Sequence, residues 1–365
     1  MKIEVLQELL LQGMGVVGRA VASRAQLPVL SHILLEATNE GLILSATDLE
    51  IGIRVKVAAK VLEPGKVAVP AKMFGEFLSA LNPGKIEVSQ ENETLFVSAP
   101  GYRGKFQTIG AEEFPAISET PKESIVCSLE AKNLSAAVER VVFAAAHDSL
   151  RPVLTGVLWE ISKKKLRLVA TDGFRLAIEE LLIESSKEDL SILVPSRVVL
   201  EVIRLAGEGQ IVVGYLPAKS QIYFEIGETL VTSQLLDGKF PDYNKIMPKE
   251  FSSEIKMGRE ELLQAVKATY IFARDNSNMV KWGIEEGKLI LSANSPERGE
   301  CRVEVAVSVT GEMSEIIFNA KFVLDYLSIV GGEEVWLGTG GKLAPGMFKD
   351  PKRAGGQYVV MPINA

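Results

Sequence analysis

The side chains best suited to chemistry in this chain are few, and they form no recognisable catalytic pattern. Asp48 and Asp172 end matching Ala-Thr-Asp segments, so paired carboxylates are the first candidate for acid–base work. The chain has only two histidines: His32 in an apolar, strand-like run and His147 near a predicted helix end. No cysteine–histidine spacing suits zinc. The sequence therefore predicts no active site, no cofactor and no metal.

Two further features have simple structural interpretations. Gly-Thr-Gly-Gly-Lys at 338–342 lacks the spacing of a phosphate-binding loop and lies between strand-like runs, so it predicts a hairpin turn. Cys127 and Cys301 occupy unrelated strand-like positions. We expect buried free thiols in a reducing cytoplasm.

The Ala-Thr-Asp segments belong to a pattern that occurs three times. Pro-Val-Leu at 28–30 and at 152–154 each leads to Ala-Thr-Asp, at an offset of 124 residues, and a degenerate third copy ends in Ala-Asn-Ser at 293–295. Duplication explains why the two aspartates occupy matching positions. Their residue type suits a turn, because an Asp side chain forms hydrogen bonds with nearby backbone groups. A repeat of about 120 residues is too long for a solenoid and can bury its own core.

Each repeat predicts two helices among antiparallel strands. The opening helix is indicated by Leu6, Leu9, Leu10, Val17 and Val21 in the first copy and by Leu262, Leu263 and Val266 in the third. The second helix begins after Pro70, Pro195 or Asn319 and stops near Gly84, Gly207 or Gly331. We predict an α+β fold of three domains at 1–119, 120–246 and 247–365.

Composition is that of an ordinary globular protein, with 47% hydrophobic and 24% charged residues. No apolar run reaches the roughly 18 residues of a membrane span, and the N-terminus lacks a signal-peptide layout. The net charge of −7 argues against tight, charge-driven nucleic-acid binding unless the basic residues gather on one surface.

Three motifs carry a family signature: Ala-Thr-Asp-Gly-Phe-Arg-Leu-Ala at 170–177, Asp-Gly-Lys-Phe-Pro-Asp-Tyr at 237–243 and Tyr-Val-Val-Met-Pro at 358–362. In this order, within three repeats that span the chain, they resemble the bacterial DNA sliding clamp, the beta subunit of DNA polymerase III holoenzyme. The resemblance implies clamp domains of two helices plus antiparallel sheets, and a six-domain ring made as a head-to-tail homodimer. It also implies a cytoplasmic, non-catalytic processivity factor, within a holoenzyme whose activity is DNA-directed DNA polymerase.

Such a ring encircles duplex DNA without reading its sequence, and a basic lining with an acidic exterior fits the charge of −7. The resemblance assigns DNA contact to Arg24, Lys72 and Arg197, and repeat equivalence adds Lys321. Asp148 departs from the family pattern, because a neutral amide can stand there in relatives.

The resemblance also implies a groove that takes short linear peptides from the replicative polymerase, the clamp loader and repair proteins. Phe174 and the tail at 363–365 depart from the usual residues, which affects peptide preference more than groove shape. The matching positions are Leu154, Thr171, Gly173, Phe174, Arg175, Leu176, Pro241, Lys245, Ile246, Val359, Val360, Met361 and Pro362.

Ring closure is assigned to Phe106 in the first domain and to Ile271 and Phe272 in the third, at a head-to-tail interface. Two other classes remain open at this point. One is a clamp-like scaffold or spare clamp copy without a replication role, which loss of the pore cations would mark. The other is a carbohydrate hydrolase that uses Asp48 and Asp172, although duplicated positions do not pair across one bond.

Overall fold

The computed structural model describes residues 1–22, 27–117, 124–148, 150–295 and 299–364. The chain divides into two compact units that do not coincide with the sequence repeats. Unit 1 comprises Met1–Lys132 and Arg197–Leu235, and unit 2 comprises Asn133–Ser196 and Leu236–Ala365. The second repeat therefore contributes to both units.

The described residues form helices and strands in all three repeats. The helices are Gln7–Val17 (α1), Ala71–Ala80 (α2), Ala131–Val142 (α3), Ser196–Ala206 (α4), Arg259–Ala273 (α5) and Ala320–Ile329 (α6). The strands are Lys2–Leu6 (β1), His32–Thr38 (β2), Gly41–Thr47 (β3), Ile51–Val57 (β4), Ala59–Glu63 (β5), Gly65–Pro70 (β6), Lys85–Glu91 (β7), Thr94–Ala99 (β8), Tyr102–Gln107 (β9), Ile125–Glu130 (β10), Gly156–Ser162 (β11), Lys165–Thr171 (β12), Arg175–Leu182 (β13), Leu190–Pro195 (β14), Gln210–Leu216 (β15), Gln221–Ile226 (β16), Thr229–Gln234 (β17), Ser253–Gly258 (β18), Met279–Glu285 (β19), Lys288–Ser295 (β20), Gly299–Ala306 (β21), Ser308–Gly311 (β22), Ser314–Asn319 (β23), Glu334–Thr339 (β24), Gly346–Lys349 (β25) and Gln357–Val360 (β26).

The sheets explain why the units cut across the repeats. Unit 1 contains a five-stranded sheet, β5-β1-β7-β8-β9, and an eight-stranded sheet, β10-β15-β16-β17-β4-β3-β2-β6. Within the latter, β17 of the second repeat pairs with β4 of the first, opposing Thr232 to Gly52. Main-chain hydrogen bonds therefore run without a break between strands of two repeats.

Unit 2 repeats this construction. Its nine-stranded sheet has the order β14-β11-β12-β13-β26-β25-β24-β18-β22, and its four-stranded sheet the order β21-β20-β19-β23. Here β13 of the second repeat pairs with β26 of the third, which opposes Leu176 to Val359. The strand pairings are antiparallel throughout, which confirms the predicted fold class.

The second helix of each repeat begins where the sequence predicts, directly after Pro70, Pro195 and Asn319. The Asn319 side chain accepts a hydrogen bond from the Lys321 backbone N–H at 3.0 Å, which caps α6. Proline at the other two positions sets extended backbone ahead of the helix.

The prediction that each repeat opens with a helix was wrong, because the strands β1, β10 and β18 come first. Burial alternates along β1, with Ile3 and Val5 in the core, and this period of two is short enough to be read as part of the following helix. Leu6 and Leu9 are consequently exposed, whereas Leu10 and Val17 are buried as predicted. Val21 lies beyond the end of α1.

Helix α1 packs against β3 and β4 through a close approach at Gly13. A Cβ atom there would stand 2.7 Å from Val57 Cγ2 and 2.8 Å from Leu44 Cδ1. A Cβ at Gly15, on the same helix, would meet nothing within 4 Å. Only the first glycine is therefore required by packing.

We expect Gly13→Ala to destabilise the protein by about 1–3 kcal/mol through overpacking. Gly15→Ala is the matched control and should stabilise it by up to about 1 kcal/mol, since alanine favours the helix. Urea unfolding followed by circular dichroism measures both variants. Equal stabilisation by the two substitutions would mean that α1 does not pack on the sheet at Gly13.

Candidate functional site

One face of the nine-stranded sheet in unit 2 carries an apolar cluster, called here the apolar face. Cross-strand pairs such as Leu158–Val169 and Leu176–Val359 direct these side chains to the same side. Its buried members are Leu158, Val169, Leu176, Ile178, Leu193, Tyr243, Met347 and Val359.

The segment 236–251 packs against the apolar face. Phe240, Met247 and Phe251 are only partly buried there, so apolar surface remains accessible beside the segment. This segment contains the Asp-Gly-Lys-Phe-Pro-Asp-Tyr motif, which gives that motif a structural role.

Tyr243 fixes the segment in place. Its hydroxyl donates to Glu160 Oε2 at 2.6 Å and accepts from Arg167 Nη1 at 3.2 Å. Arg167 is itself held by Glu180, to which its Nε donates at 2.8 Å. Burial raises the pKa of Tyr243, and the hydrogen bond to Glu160 raises it further, so the hydroxyl stays protonated and remains a donor.

A hairpin turn between β12 and β13 presents an exposed aromatic ring. Phe174 is 60% exposed and follows Gly173, whose φ of +92° favours glycine. Asp172 Oδ1 accepts the backbone N–H groups of Phe174 at 2.9 Å and Arg175 at 3.0 Å, which shapes the turn.

The predicted peptide-binding residues divide between the two faces of the sheet. Leu176, which is 1% exposed, and Val359 belong to the apolar face. Val360 is paired with Arg175 at the next register position, so both project from the opposite face. Both side chains are buried in the structure. Their assignment to peptide contact stays a prediction.

Arg175 is occupied by interactions inside unit 2. Its Nε donates to Asp172 Oδ2 at 3.0 Å and its Nη1 to Asp325 Oδ2 at 2.5 Å. The guanidinium also lies 4.5 Å from the ring centroid of Phe322. Removing this arginine would leave two carboxylates without their partner, so its role here is structural.

The other predicted groove residues also differ in accessibility. Leu154 and Thr171 are buried, and the Thr171 hydroxyl donates to the Arg175 carbonyl oxygen at 2.5 Å. Met361 donates its backbone N–H to the Phe174 carbonyl oxygen at 2.9 Å. The positions whose surfaces remain at least partly accessible are Gly173, Phe174, Pro241, Lys245, Ile246, Met361 and Pro362.

Several members of the apolar face were absent from the sequence prediction. Leu158, Met347, Val153, Met247 and Trp336 contribute to it or pack against it. Alternation along β11 and β12 indicated strands, but the side on which Leu158 and Val169 point depends on pairing register, which the motifs do not contain.

The predicted DNA-contacting residues lie at helix starts where the structure describes them. Lys72 and Lys321 are exposed in the first turns of α2 and α6, and within the described residues neither ammonium group has a hydrogen-bonding or ionic partner. Arg197 is the second residue of α4 and pairs with Asp48, Nη1 to Oδ2 at 2.6 Å, which partly neutralises its charge. Arg24 lies outside the described residues.

The carboxylates considered for catalysis serve turns instead. Asp48 Oδ1 accepts backbone N–H groups from Glu50 at 3.1 Å and Ile51 at 2.9 Å, as Asp172 does in its own turn. Within the described part of the chain, no group of three or more His, Cys, Asp and Glu residues is arranged to hold a metal ion. In the same residues, no helix has the length and apolarity to cross a membrane.

The predicted interface residues differ in their surroundings. Phe106 lies on β9, at one edge of the five-stranded sheet, and is buried against Phe74 and Phe77, with ring centroids 5.4 Å from each. Ile271 is 53% exposed in the last turn of α5, and Phe272 beside it is half-buried. Strand β21 ends the four-stranded sheet.

Comparison with known proteins agrees with this geometry. Models of the N-terminal, central and C-terminal domains of the DNA polymerase III beta subunit match residues 1–118, 128–242 and 244–364. The Beta sliding clamp of Pseudomonas putida is 32% identical over 366 residues, covering 100% of both chains. The structure of the Pseudomonas aeruginosa beta subunit aligns with a TM-score of 0.94 and 32% identity over 100% of both chains. Another structure of that clamp, bound to griselimycin, aligns with a TM-score of 0.93 and 32% identity over the same extent.

The six helices, the antiparallel sheets and full-length similarity of both sequence and structure therefore point to one assignment. This chain belongs to the bacterial DNA polymerase III beta subunit family, the DNA sliding clamps.

Proposed function

We propose that this chain is a processivity factor that encircles duplex DNA and tethers the replicative polymerase. The observation that carries the proposal is the presence of three clamp domains along the full length of sliding-clamp relatives. The protein acts in the cytoplasm as a non-catalytic subunit of the holoenzyme. Its domain boundaries are 1–119, 120–246 and 247–365.

The charge distribution supports a topological attachment rather than a tight complex. A net charge of −7 disfavours strong binding to phosphates, and strong contacts would also oppose sliding. Lys72 and Lys321 offer exposed charges that have no ionic partner in the described part of the chain, and these charges are available for transient contact. Arg197 shares its charge with Asp48, so it contributes a weaker contact, and Arg24 completes the set.

A homodimer closes the ring in this proposal. The edge strands β9 and β21 have free backbone groups on one side, which is the usual template for pairing between chains. Phe106 is already packed against Phe74 and Phe77. In this proposal it therefore stabilises β9 from inside unit 1 and does not itself contact the second protomer. The exposed Ile271 is the side chain available to the second protomer.

We expect Ile271→Asp to shift the protein from dimer to monomer, because a charge buried at a hydrophobic contact loses hydration without gaining a partner. Light scattering at micromolar concentration measures the molar mass. Met313→Asp, at another exposed apolar residue of unit 2, is the matched control and should stay dimeric. A dimer that survives Ile271→Asp would place the interface elsewhere.

Partner proteins bind the apolar face through short linear peptides. The partly buried Met247 and Phe240 pack against a buried cluster that contains Leu176 and Val359, and the exposed Phe174 precedes Leu176 by two residues. Adaptable methionine beside aromatic rings suits different apolar anchors, so the polymerase, the clamp loader and repair proteins compete for this surface.

We expect Ile246→Asp to weaken binding of a fluorescent Leu- and Phe-containing peptide at least about tenfold, because it places a charge beside an apolar anchor. Ile246 is 39% exposed, so the substitution should leave the fold intact. Fluorescence anisotropy gives the affinity. Leu182→Asp, at the exposed end of β13, is the control and should bind like the parent. Unchanged affinity of Ile246→Asp would exclude the segment 236–251 from the site.

A further inference from the structure

A cavity of about 420 Å³ lies on the face of the nine-stranded sheet opposite the apolar face. Glu179 of β13 and Tyr358 of β26 form its floor, since both project away from Leu176 and Val359. Its walls include Arg140 of α3 and Tyr326 of α6. The volume falls within the range of small-molecule sites.

Five charged side chains line this cavity. Three cations, Arg140, Lys352 and Arg353, face two carboxylates, Glu179 and Asp350. Glu179 is 2% exposed and accepts from Arg353 Nε at 2.9 Å and from its Nη2. Burial raises the pKa of Glu179, whereas Arg353 and Arg140 lower it.

Arg140 is the cation left without a strong partner. Its Nη1 stands 3.8 Å from Glu179 Oε1, too far for a hydrogen bond, and donates at 3.0 Å to the backbone oxygen of Ala136. No carboxylate within the described residues lies in hydrogen-bond range of this guanidinium. Burial lowers the pKa of Arg140, and the neighbouring Arg353 lowers it further, whereas the carboxylates Glu179, Glu139 and Asp350 oppose this shift without cancelling it.

The remaining carboxylate is engaged elsewhere. Asp350 Oδ1 accepts the backbone N–H of Lys352 at 2.9 Å, which fixes its turn. Lys352 Nζ in turn reaches Glu333 Oε2 at 3.5 Å. Neither group therefore hydrogen-bonds to the Arg140 guanidinium, and Asp350 acts on its charge only at longer range.

Flat aromatic surface adjoins the arginine. Tyr326 and Tyr358 stack with ring planes 3° apart and centroids at 4.9 Å, and Phe143 lies 5.3 Å from Tyr358. All three rings line the cavity. A planar ligand group would gain contact area on these rings while an attached anion met Arg140.

We propose that this cavity is a second binding site, which takes a small organic anion: a planar ring joined to a phosphate or carboxylate group. The anion pairs with the Arg140 guanidinium, and the ring lies against Tyr326 and Phe143. Ile178 lines the cavity and also belongs to the apolar face, but Arg140, Tyr326 and Phe143 lie outside that face, so the proposal does not depend on the proposed function.

Titration calorimetry on the full chain tests the proposal with phenyl phosphate, benzoate and deoxyadenosine monophosphate as probes. At least one should bind saturably, and at least about tenfold more tightly than inorganic phosphate or phenol alone. Arg140→Gln should weaken that probe by at least about tenfold. Arg302→Gln, which removes an exposed arginine from β21, should leave its affinity unchanged.

Thermal unfolding of unliganded Arg140→Gln separates ligand binding from a purely structural role. An undercompensated arginine should be replaceable with an unchanged or higher Tm. A marked fall in Tm would show that Arg140 is already satisfied by Glu179 and would overturn the proposal. So would the absence of saturable binding by all three probes, or equal affinity of Arg140→Gln and the parent.

Discussion

The antiparallel pairing of β13 with β26 determines what both faces of the nine-stranded sheet can bind. Leu176 comes from the second repeat and Val359 from the third, and only a continuous sheet directs both to the side that also carries Leu158 and Met347. A slip of one residue would exchange the two faces and turn Arg175 toward the segment 236–251. The ion pair of Arg175 with Asp325 of α6 opposes such a slip, because it holds Arg175 on the face opposite Leu176.

Unit 1 also contains a strand pairing between two repeats, but different residues occupy the paired positions. Pairing of β4 with β17 opposes Gly52 to Thr232, where unit 2 opposes Leu176 to Val359. A Cβ at Gly52 would stand 3.3 Å from Ile117 Cγ1, so Ile117 packs directly on the sheet backbone there. Duplication thus kept the strand pairing, and each unit carries its own apolar cluster with partly buried residues packed against it.

Features that depend on local chemistry, such as helix starts and turns, could be predicted from the sequence. Features that depend on the pairing register of distant strands could not. The helix starts after Pro70 and Asn319 and the turn at Asp172 follow from short-range rules, and the structure confirms them. The strand β1 was missed because five residues with alternating burial give too short a signal beside an amphipathic helix. The face on which Val360 lies, and the cavity beside Arg140, depend on register between distant strands, which no local pattern contains.

Retention of the ring on DNA by topology, and not by affinity, can be measured directly. Labelled protein is loaded by a clamp loader onto nicked circular DNA and followed by gel filtration in high salt, before and after the circle is cut. We expect retention on the circle and rapid loss from the linear product, although no protein–DNA contact has changed. Lys72→Gln combined with Lys321→Gln should lower the weak affinity for linear duplex yet hardly alter retention on the intact circle. Equal retention on circular and linear DNA would contradict the account and leave an ordinary DNA-binding protein.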